Sequence, residues 1–309
     1  MSNSNSLIEN PIKWPNGAKC AASITFDMDA DSLIHLAHPE DSHTRVAAIS
    51  MLRYGPEIAI PRIVKTWEIL GIKQTFYVPA WCIEHYPKAI DIILKGGHEI
   101  GHHGYIHEHP RELSKEEEAY WLDRGIEVII KATGVKPKGW RAPLYNFSNN
   151  SADLLIERGF TYDASLMGDD IPYFLDTEKG SLVEIPSHWG LDDWPQYVHA
   201  GDLNYVMQVR SPKAGFQIYI EEFETAYRHG GLWVPVVHPF ATGRLSRWEV
   251  VSKFLTKVRE KGDVWFASMN EIADYVREVT NNGEYKPRRD KLPYYRKPSR
   301  PEPSFKSKV

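Results

Sequence analysis

Short apolar runs rich in β-branched and aromatic residues alternate with longer amphipathic segments along most of the chain. The short runs predict strands, and the longer segments, with apolar residues three and four positions apart, predict helices. Seven or eight strands that alternate with helices predict an α/β fold whose parallel sheet is closed, or nearly closed, into a barrel. The predicted strands are CAASITF (20–26), QTFYVP (74–79), HEIG (98–101), KGWRA (138–142), FTYDAS (160–165), LVEIPS (182–187), LWVPVVH (232–238) and VWFAS (264–268).

Helices are expected between these strands, and two of them have clear start signals. Ser114 with Glu117, and Ser268 with Glu271, have the spacing of a capping box, in which the serine begins the helix. The helix that begins at Ser114 is expected to continue to about residue 133. Further helices are predicted at 56–71, 86–95, 151–159, 217–229 and 247–261.

Length and composition favour one large domain followed by a short tail. With 309 residues and 42% hydrophobic content, the chain can bury a single substantial core. We expect residues 1–282 to form the barrel. Residues 283–309 are rich in Pro and carry nine basic against three acidic side chains, which is typical of an extended tail, either disordered or wrapped on a neighbour.

Charge and cysteine content limit the partners that we expect. A formal net charge of −4 argues against a nucleic-acid partner. No apolar run approaches the length of a membrane span, and the segment MSNSNSLIENPIKWP lacks the basic and apolar regions of a signal peptide. Cys20 and Cys82 lie in apolar runs and are expected to be buried free thiols. These features predict a cytoplasmic protein.

Polar side chains capable of catalysis follow the predicted strands. In a βα barrel, catalytic residues collect at the carboxyl ends of the strands. Carboxylates, histidines and an arginine recur at that end of successive strands. The residues concerned are Asp27, Asp29, His102, His103, His107, Arg141, His188, Asp192, Asp193, Trp194 and His238.

These residue types together are suited to metal-assisted hydrolysis. Two histidines and one carboxylate can hold a divalent metal and leave positions open for water and substrate. The metal lowers the pKa of the water and polarises a carbonyl group. A second carboxylate can accept the proton of the water, a further histidine can protonate the leaving amine, and an arginine can orient the basic carboxylate.

Five short motifs, FDMD, HGYIH, RAP, DDW and VVH, occur in the order and approximate spacing of the motifs of the polysaccharide deacetylases, the NodB-homology hydrolases of carbohydrate esterase family four. The resemblance extends from about Cys20 to Tyr275. It implies a deformed, TIM-like (β/α) barrel with the NodB-homology fold and a hydrolase of non-peptide carbon–nitrogen bonds. It also implies one divalent metal ion, commonly zinc, although cobalt, nickel and manganese accept the same ligands.

The resemblance also assigns roles to residues of the five motifs. The implied metal ligands are Asp29, His103 and His107, and the implied catalytic residues are Asp27 as general base, His238 as general acid, Arg141 beside the base and Asp193 beside the acid. Trp194 would pack against the acid histidine, and with His188 and Tyr145 it is a candidate for contact with substrate. Asp192 remains an alternative to Asp193, and His98, His102 and His109 are expected to support or surround the metal ligands.

The motifs depart from the usual pattern at three places. Met28 separates two aspartates that are usually adjacent, Gly104 replaces the usual serine or threonine, and Arg-Ala-Pro-Leu replaces Arg-Pro-Pro-Tyr. These departures resemble a subgroup that contains cytoplasmic peptidoglycan-deacetylase-like and allantoinase-like, cyclic-imide-hydrolysing proteins. Members of that subgroup tend to be tetramers with a narrow, covered site, so a homo-oligomer, with a tetramer favoured, is implied here.

Three functions remain open from the sequence. The first is deacetylation of an N-acetylated saccharide in a polymer such as peptidoglycan or chitin. The second is hydrolysis of a small cytoplasmic amide or cyclic imide, which needs the same chemistry. The third is a binding member of the fold without turnover, which the retained Asp27, His238 and metal ligands disfavour.

Overall fold

The fold is built from short strands and helices that alternate along the chain. The computed structural model describes residues 6 to 299. The strands are Cys20–Ala22 (β1), Thr25–Asp27 (β2), Thr75–Val78 (β3), Glu99–His102 (β4), Gly139–Trp140 (β5), Tyr162–Asp163 (β6), Tyr173–Thr177 (β7), Gly180–Glu184 (β8), His199–Ala200 (β9), Tyr205–Val206 (β10), Leu232–Trp233 (β11), Val236–Val237 (β12), Val264–Phe266 (β13) and Arg289–Lys291 (β14). The helices are Ser32–Ala37 (α1), Val46–Tyr54 (α2), Ile60–Leu70 (α3), Ala80–His85 (α4), Pro87–Lys95 (α5), Lys115–Thr133 (α6), Ser151–Glu157 (α7), Trp194–Tyr197 (α8), Pro212–His229 (α9), Leu245–Glu260 (α10) and Met269–Asn281 (α11).

The strands form a ring that is parallel throughout its main part. Strands β12, β2, β3, β4, β5, β6 and β8 are neighbours in that order, and each adjacent pair is parallel. Strands β11 and β1 precede β12 and β2 and also pair with each other, and β13 pairs with β1. A parallel bridge between Asp192 and Val236 joins the region after β8 to β12. The predicted deformed barrel is therefore confirmed.

Packing on both faces explains why the strands are short and apolar. Every residue of β1, β2 and β3 is buried, as expected for parallel strands covered by helices. Phe26 stacks on Phe76 with ring centroids 4.5 Å apart, and Trp67 of α3 contacts Phe26 edge-on at 5.9 Å. This packing fixes the strand that ends at Asp27.

The predicted strands and capping boxes are confirmed, and the missed elements are short. The hydroxyl groups of Ser114 and Ser268 accept the backbone N–H groups that the capping-box spacing predicts. The predicted helix at 56–71 begins earlier, because a π-helical segment at 55–59 continues α2 into α3. The antiparallel strand β7, the β9–β10 hairpin and helices α1, α2, α4 and α8 were not predicted. Apart from α2, each of these elements has six residues or fewer.

The sheet continues past the predicted domain boundary at residue 282. Strand β14 pairs in parallel with β7, and Arg289 donates two hydrogen bonds of 2.7 Å to Asp176. The first part of the predicted tail therefore belongs to the folded domain, because its backbone completes the edge of the sheet. Residues 300–309 of that tail lie outside the described residues.

Two further expectations concern cysteines and membranes. Cys20 and Cys82 are both buried and unpaired, as the sequence predicted. Among the helices of residues 6–299, none combines the length and apolar composition that crossing a membrane requires.

Candidate active site

The carboxyl ends of neighbouring strands meet at one edge of the ring, and the predicted polar residues gather there. Strand β2 ends at Asp27, with Asp29 two residues later. His103, Arg141 and His238 directly follow β4, β5 and β12. Side chains that are far apart in the sequence therefore face one another, because the strands that carry them run in the same direction.

Asp29, His103 and His107 form a cluster with the dimensions of a metal site. Their potential ligand atoms lie within 4.8 Å of one another. Asp29 Oδ1 lies 3.4 Å from His103 Nε2, and Asp29 Oδ2 lies 3.6 Å from His107 Nε2. A tetrahedral site with metal–ligand bonds of about 2.1 Å has edges of about 3.4 Å. Asp29 Oδ1 is buried and has no hydrogen-bond partner within residues 6–299, so these side chains fit a divalent cation.

Hydrogen bonding and charge prepare the three side chains for such an ion. The Nδ1–H group of His103 donates to the carbonyl oxygen of Arg141 at 2.7 Å, which leaves Nε2 to face Asp29. Burial lowers the pKa of His107 to about 3, so this ring is neutral. Burial opposes ionisation of Asp29, but the surrounding histidines outweigh it and hold the pKa of Asp29 well below its usual range. Burial lowers the pKa of His103, but the carboxylates of Asp27 and Asp29 together outweigh it and raise that pKa, so a cation competes with a proton there.

Asp27 is held by a fully buried arginine. Arg141 Nη1 donates to Asp27 Oδ1 at 2.6 Å and to Thr25 Oγ1 at 2.9 Å, and Arg141 Nε donates to the carbonyl oxygen of Ala164 at 3.0 Å. The guanidinium group also lies over the ring of Tyr77, 4.2 Å from its centroid. The other carboxylate oxygen of Asp27 remains on the side of the metal cluster.

His238, which also lies beside the cluster, is held by Asp193. His238 Nδ1–H donates to Asp193 Oδ1 at 2.6 Å, and the backbone N–H of His238 donates to Asp193 Oδ2 at 3.0 Å. Thr242 donates to the same carboxylate through its hydroxyl and its backbone N–H. Burial lowers the pKa of His238, but the carboxylates of Asp193 and Asp29 outweigh it and hold that pKa well above its ordinary value. Its Nε2 lies 3.4 Å from Asp29 Oδ2, within reach of the same reacting group.

Asp192 has a different partner from its neighbour Asp193. Tyr145 donates its phenolic hydrogen to Asp192 Oδ2 at 2.6 Å, and the backbone N–H of Trp194 donates to Asp192 Oδ1 at 2.8 Å. The indole of Trp194 packs edge-on against His238 with ring centroids 5.3 Å apart. Asp193, not Asp192, is therefore the carboxylate that contacts the candidate acid.

A cavity of about 270 Å³ lies above the cluster. Its floor is polar and consists of Asp27, Asp29, His103, His107 and His238. Its walls are mainly apolar and come from segments outside the ring, including α1 and the turn before β10. These wall residues were not predicted, because apolar side chains in loops cannot be distinguished from core residues by pattern. They include Leu33, Leu36, Leu144, Trp189, Leu203 and Tyr205.

Most of the predicted site residues line this cavity. Arg141 and Asp193 lie behind the lining and hold Asp27 and His238, whereas His188 lies away from the cavity. The Nδ1 atom of His188 accepts the backbone N–H of Gly190, and Nε2 lies 3.6 Å from Glu222 of α9. The structure does not bring His188 to the main cavity with the other predicted residues, because this turn directs its ring towards a second, separate depression. Trp189 lines the main cavity in its place.

Residues 98–110, HEIGHHGYIHEHP, contain both histidines of the cluster and three more. Two of these three have structural partners. His102 Nε2–H donates to the carbonyl oxygen of Leu122 at 3.1 Å, and His98 Nδ1 accepts the backbone N–H of Gln74 at 3.1 Å. Burial lowers the pKa of His102 to about 3 and that of His98 to about 4, so both rings are neutral packing residues. His109 lines the cavity.

Comparison with known proteins agrees with this geometry. Residues 48–162 match the family model described as polysaccharide deacetylase. A protein of Helicobacter pylori named peptidoglycan deacetylase is 30% identical over 252 residues, which cover 73% of this chain and 86% of the relative.

Solved structures extend the similarity to the whole fold. A Mycobacterium smegmatis protein assigned to the polysaccharide deacetylases is 35% identical and superposes with a TM-score of 0.86, covering 96% of this chain and 99% of its own. Puue allantoinase is 21% identical with a TM-score of 0.77, covers 90% of this chain and 96% of its own, and so shares the fold. The Helicobacter pylori relative is 30% identical and is matched over most of both sequences. The chain therefore belongs to the polysaccharide deacetylase family, the TIM-like hydrolases of non-peptide carbon–nitrogen bonds.

Proposed function

We propose that the protein is a metal-dependent amide hydrolase of the deacetylase type, with Asp29, His103 and His107 as the metal ligands. The observation that carries this proposal is the approach of two buried pairs to the ligand cluster. Asp27, paired with Arg141, lies 3.7 Å from His103, and His238, paired with Asp193, lies 3.4 Å from Asp29. A base and an acid beside one metal site are what hydrolysis of an amide requires.

Each of the flanking residues has a definite task in this proposal. When bound, the divalent ion, for which we propose zinc, would polarise the amide carbonyl and lower the pKa of a water molecule. Asp27 accepts the proton of the attacking water through Oδ2, the oxygen that lies 3.7 Å from His103 Nε2. Arg141 occupies the other oxygen and so fixes the direction of the free one.

His238 completes the reaction by donating the proton on Nε2 to the departing nitrogen. Because Nδ1–H is bonded to Asp193, the ring is oriented with Nε2 towards Asp29. Trp194 packs against one edge of the imidazole and limits its rotation. The raised pKa of His238 favours the protonated form that a general acid needs.

The proposed substrate class is an N-acetylated saccharide. Support comes from the family and from the name of the Helicobacter pylori relative, which is a peptidoglycan deacetylase. The products would be acetate and a free amine.

A small amide or cyclic imide is the second candidate, and the apolar lining of the cavity walls favours it. The walls include Leu33, Leu144 and Leu203, whose side chains cannot hydrogen-bond to sugar hydroxyls. Burial of a hydroxyl without a partner costs roughly 1–3 kcal/mol, so a hydrated polymer gains little from these walls. A compact substrate with one apolar face matches them better.

A direct experiment separates these candidates. The protein is loaded with Zn²⁺ or Co²⁺ and assayed for acetate release from N-acetylglucosamine oligomers and for ring opening of succinimides and hydantoins. The Asp27→Asn variant is the matched control, since asparagine keeps the shape but cannot accept the proton. The proposal is refuted if wild type and Asp27→Asn turn over every substrate equally, or if the wild type binds no divalent ion.

A further inference from the structure

The turn that carries two of the proposed metal ligands encloses a buried carboxylate. Glu108 follows His107 directly and is only 8% exposed. Both of its carboxylate oxygens accept the backbone N–H of Tyr105 at 2.9 Å, and Oε2 also accepts the backbone N–H of Ile106 at 2.8 Å. Successive backbone N–H groups of one turn thus converge on a single anion.

Gly104 provides the room for this carboxylate. Its φ of +72° lies in the left-handed region that favours glycine, and an added Cβ would lie 2.9 Å from Glu108 Oε1 and 3.1 Å from Cδ and Oε2. A side chain at position 104 would therefore force the carboxylate to shift within the turn. Gly104 and Glu108 are two parts of one arrangement.

The position of His107 depends on this turn. Its backbone has a φ of +70°, a conformation that costs a non-glycine residue roughly 1–3 kcal/mol and persists only where the surroundings impose it. Its Nδ1 atom is buried and has no hydrogen-bond partner among the described residues. His103, by contrast, is oriented by its bond to the Arg141 carbonyl group. The orientation of His107 towards Asp29 must come mainly from its backbone.

The turn is held from two sides. From outside, the first backbone N–H groups of α4, those of Ala80 and Trp81, donate to the carbonyl oxygens of Gly104 and Tyr105 at 3.1 and 2.7 Å. From inside, Glu108 binds the N–H groups of the same turn. The outer contacts fix where the turn lies, and the inner carboxylate fixes how tightly it closes between His103 and His107.

We propose that Glu108 is a positioning residue for the metal site, which closes the turn at residues 104–108 and thereby directs His107 towards Asp29. The inference rests on the proposed function, because it assumes that His107 is a metal ligand. Glu108 does not contact the ion or the substrate; it acts through the backbone that bears His107. Outer contacts of this kind typically change metal affinity 10- to 100-fold.

The test is a titration of the full chain with Co²⁺, followed by visible absorption and by competition with a chelator of known affinity. Glu108→Ala and Glu108→Gln are compared with wild type, and Glu112→Gln is the control, since its carboxylate is 70% exposed in the same loop. We expect Co²⁺ affinity to fall about 10- to 100-fold in Glu108→Ala and less in Glu108→Gln, which keeps one acceptor oxygen. Glu112→Gln should bind as wild type does.

Stability of the metal-free protein is measured for each variant, so that a loss of affinity can be separated from a loss of folding. If Glu108→Gln is less stable but binds Co²⁺ like wild type, Glu108 is a structural residue alone and the inference fails while the proposed function stands. If the wild type itself binds no Co²⁺, the proposed function fails and the inference with it.

A second arm examines the pairing with Gly104. Gly104→Ala should weaken Co²⁺ binding, and its effect should be smaller in the Glu108→Ala background, where the added methyl group meets no carboxylate. Equal effects in the two backgrounds would refute the pairing of Gly104 with Glu108.

Discussion

Asp192 lies in the wall of the cavity, and its replacement by asparagine should make the stability of the protein less dependent on pH. Asp192 is 2% exposed. Burial raises the pKa of Asp192 to about 6, although the charge of His238 and the hydrogen bond from Tyr145 offset part of that effect. The group therefore ionises near neutral pH in the folded protein.

The direction of the effect follows from the raised pKa. The ordinary pKa of the group is 3.8, so the folded chain holds the proton more tightly than the unfolded chain does. The protonated Asp192 therefore adds to the stability of the fold below about pH 4, and this contribution is lost as the pH rises through the folded-state pKa near 6. The difference between the two pKa values corresponds to about 3 kcal/mol, of which about 2 kcal/mol is lost between about pH 4.5 and pH 7.5.

Urea unfolding of wild type and Asp192→Asn at several pH values across that range measures the effect. The free energy of unfolding of the variant, relative to wild type, should rise by about 2 kcal/mol from the acidic to the alkaline end. Asp91→Asn, which replaces a carboxylate that is 59% exposed on α5, is the control and should follow wild type in parallel. If the free energy of unfolding of Asp192→Asn also followed that of wild type in parallel across this pH range, the assignment of a raised pKa to Asp192 would be refuted.

Three further predictions concern the polar floor and the two residues that hold it, Arg141 and Asp193. Asp29→Asn should reduce the stoichiometry of bound divalent metal, measured by elemental analysis, from about one to none, and retention of the ion would contradict its role as a ligand. Arg141→Met should lower the free energy of unfolding by about 3–5 kcal/mol, because it leaves the buried carboxylate of Asp27 unpaired. Arg53→Met, which breaks an exposed pair with Glu57, should lower it by only about 0–1 kcal/mol. Equal losses in the two variants would argue against a buried charge pair. Asp193→Asn should reduce kcat about 10²- to 10⁴-fold with little change in KM, and a loss confined to KM would show that it acts in binding instead.

The sequence contained enough information to predict the barrel and its polar floor, because both depend on strong local patterns. Buried parallel strands are continuous apolar runs, and the residue after each run falls at the carboxyl edge, which is how Asp27, His103, Arg141 and His238 were identified. The resemblance to a known family added the roles, which composition and spacing alone left open.

The walls of the cavity could not be predicted in the same way. Leu33 and Leu203 come from short segments whose apolar residues resemble any core position, and only tertiary packing brings them over the floor. His188 is the opposite case, a residue that was predicted to contact substrate but lies elsewhere. Its position just before the DDW motif suggested that contact, but the local turn directs its ring towards Glu222. Strand β14 was missed because all three of its residues are charged, a composition that does not predict a strand. These residues are extended because they pair with β7 at the edge of the sheet.

The separation of floor and walls has a consequence for how such a protein can change. The floor belongs to strands locked into the ring by backbone hydrogen bonds, whereas the walls belong to α1, the residues around Trp189 and the turn before β10, which lie outside it. Loops of this kind tolerate insertion and exchange far better than strands do. New substrate preferences can therefore arise by remodelling or grafting these segments while the reaction machinery is inherited unchanged.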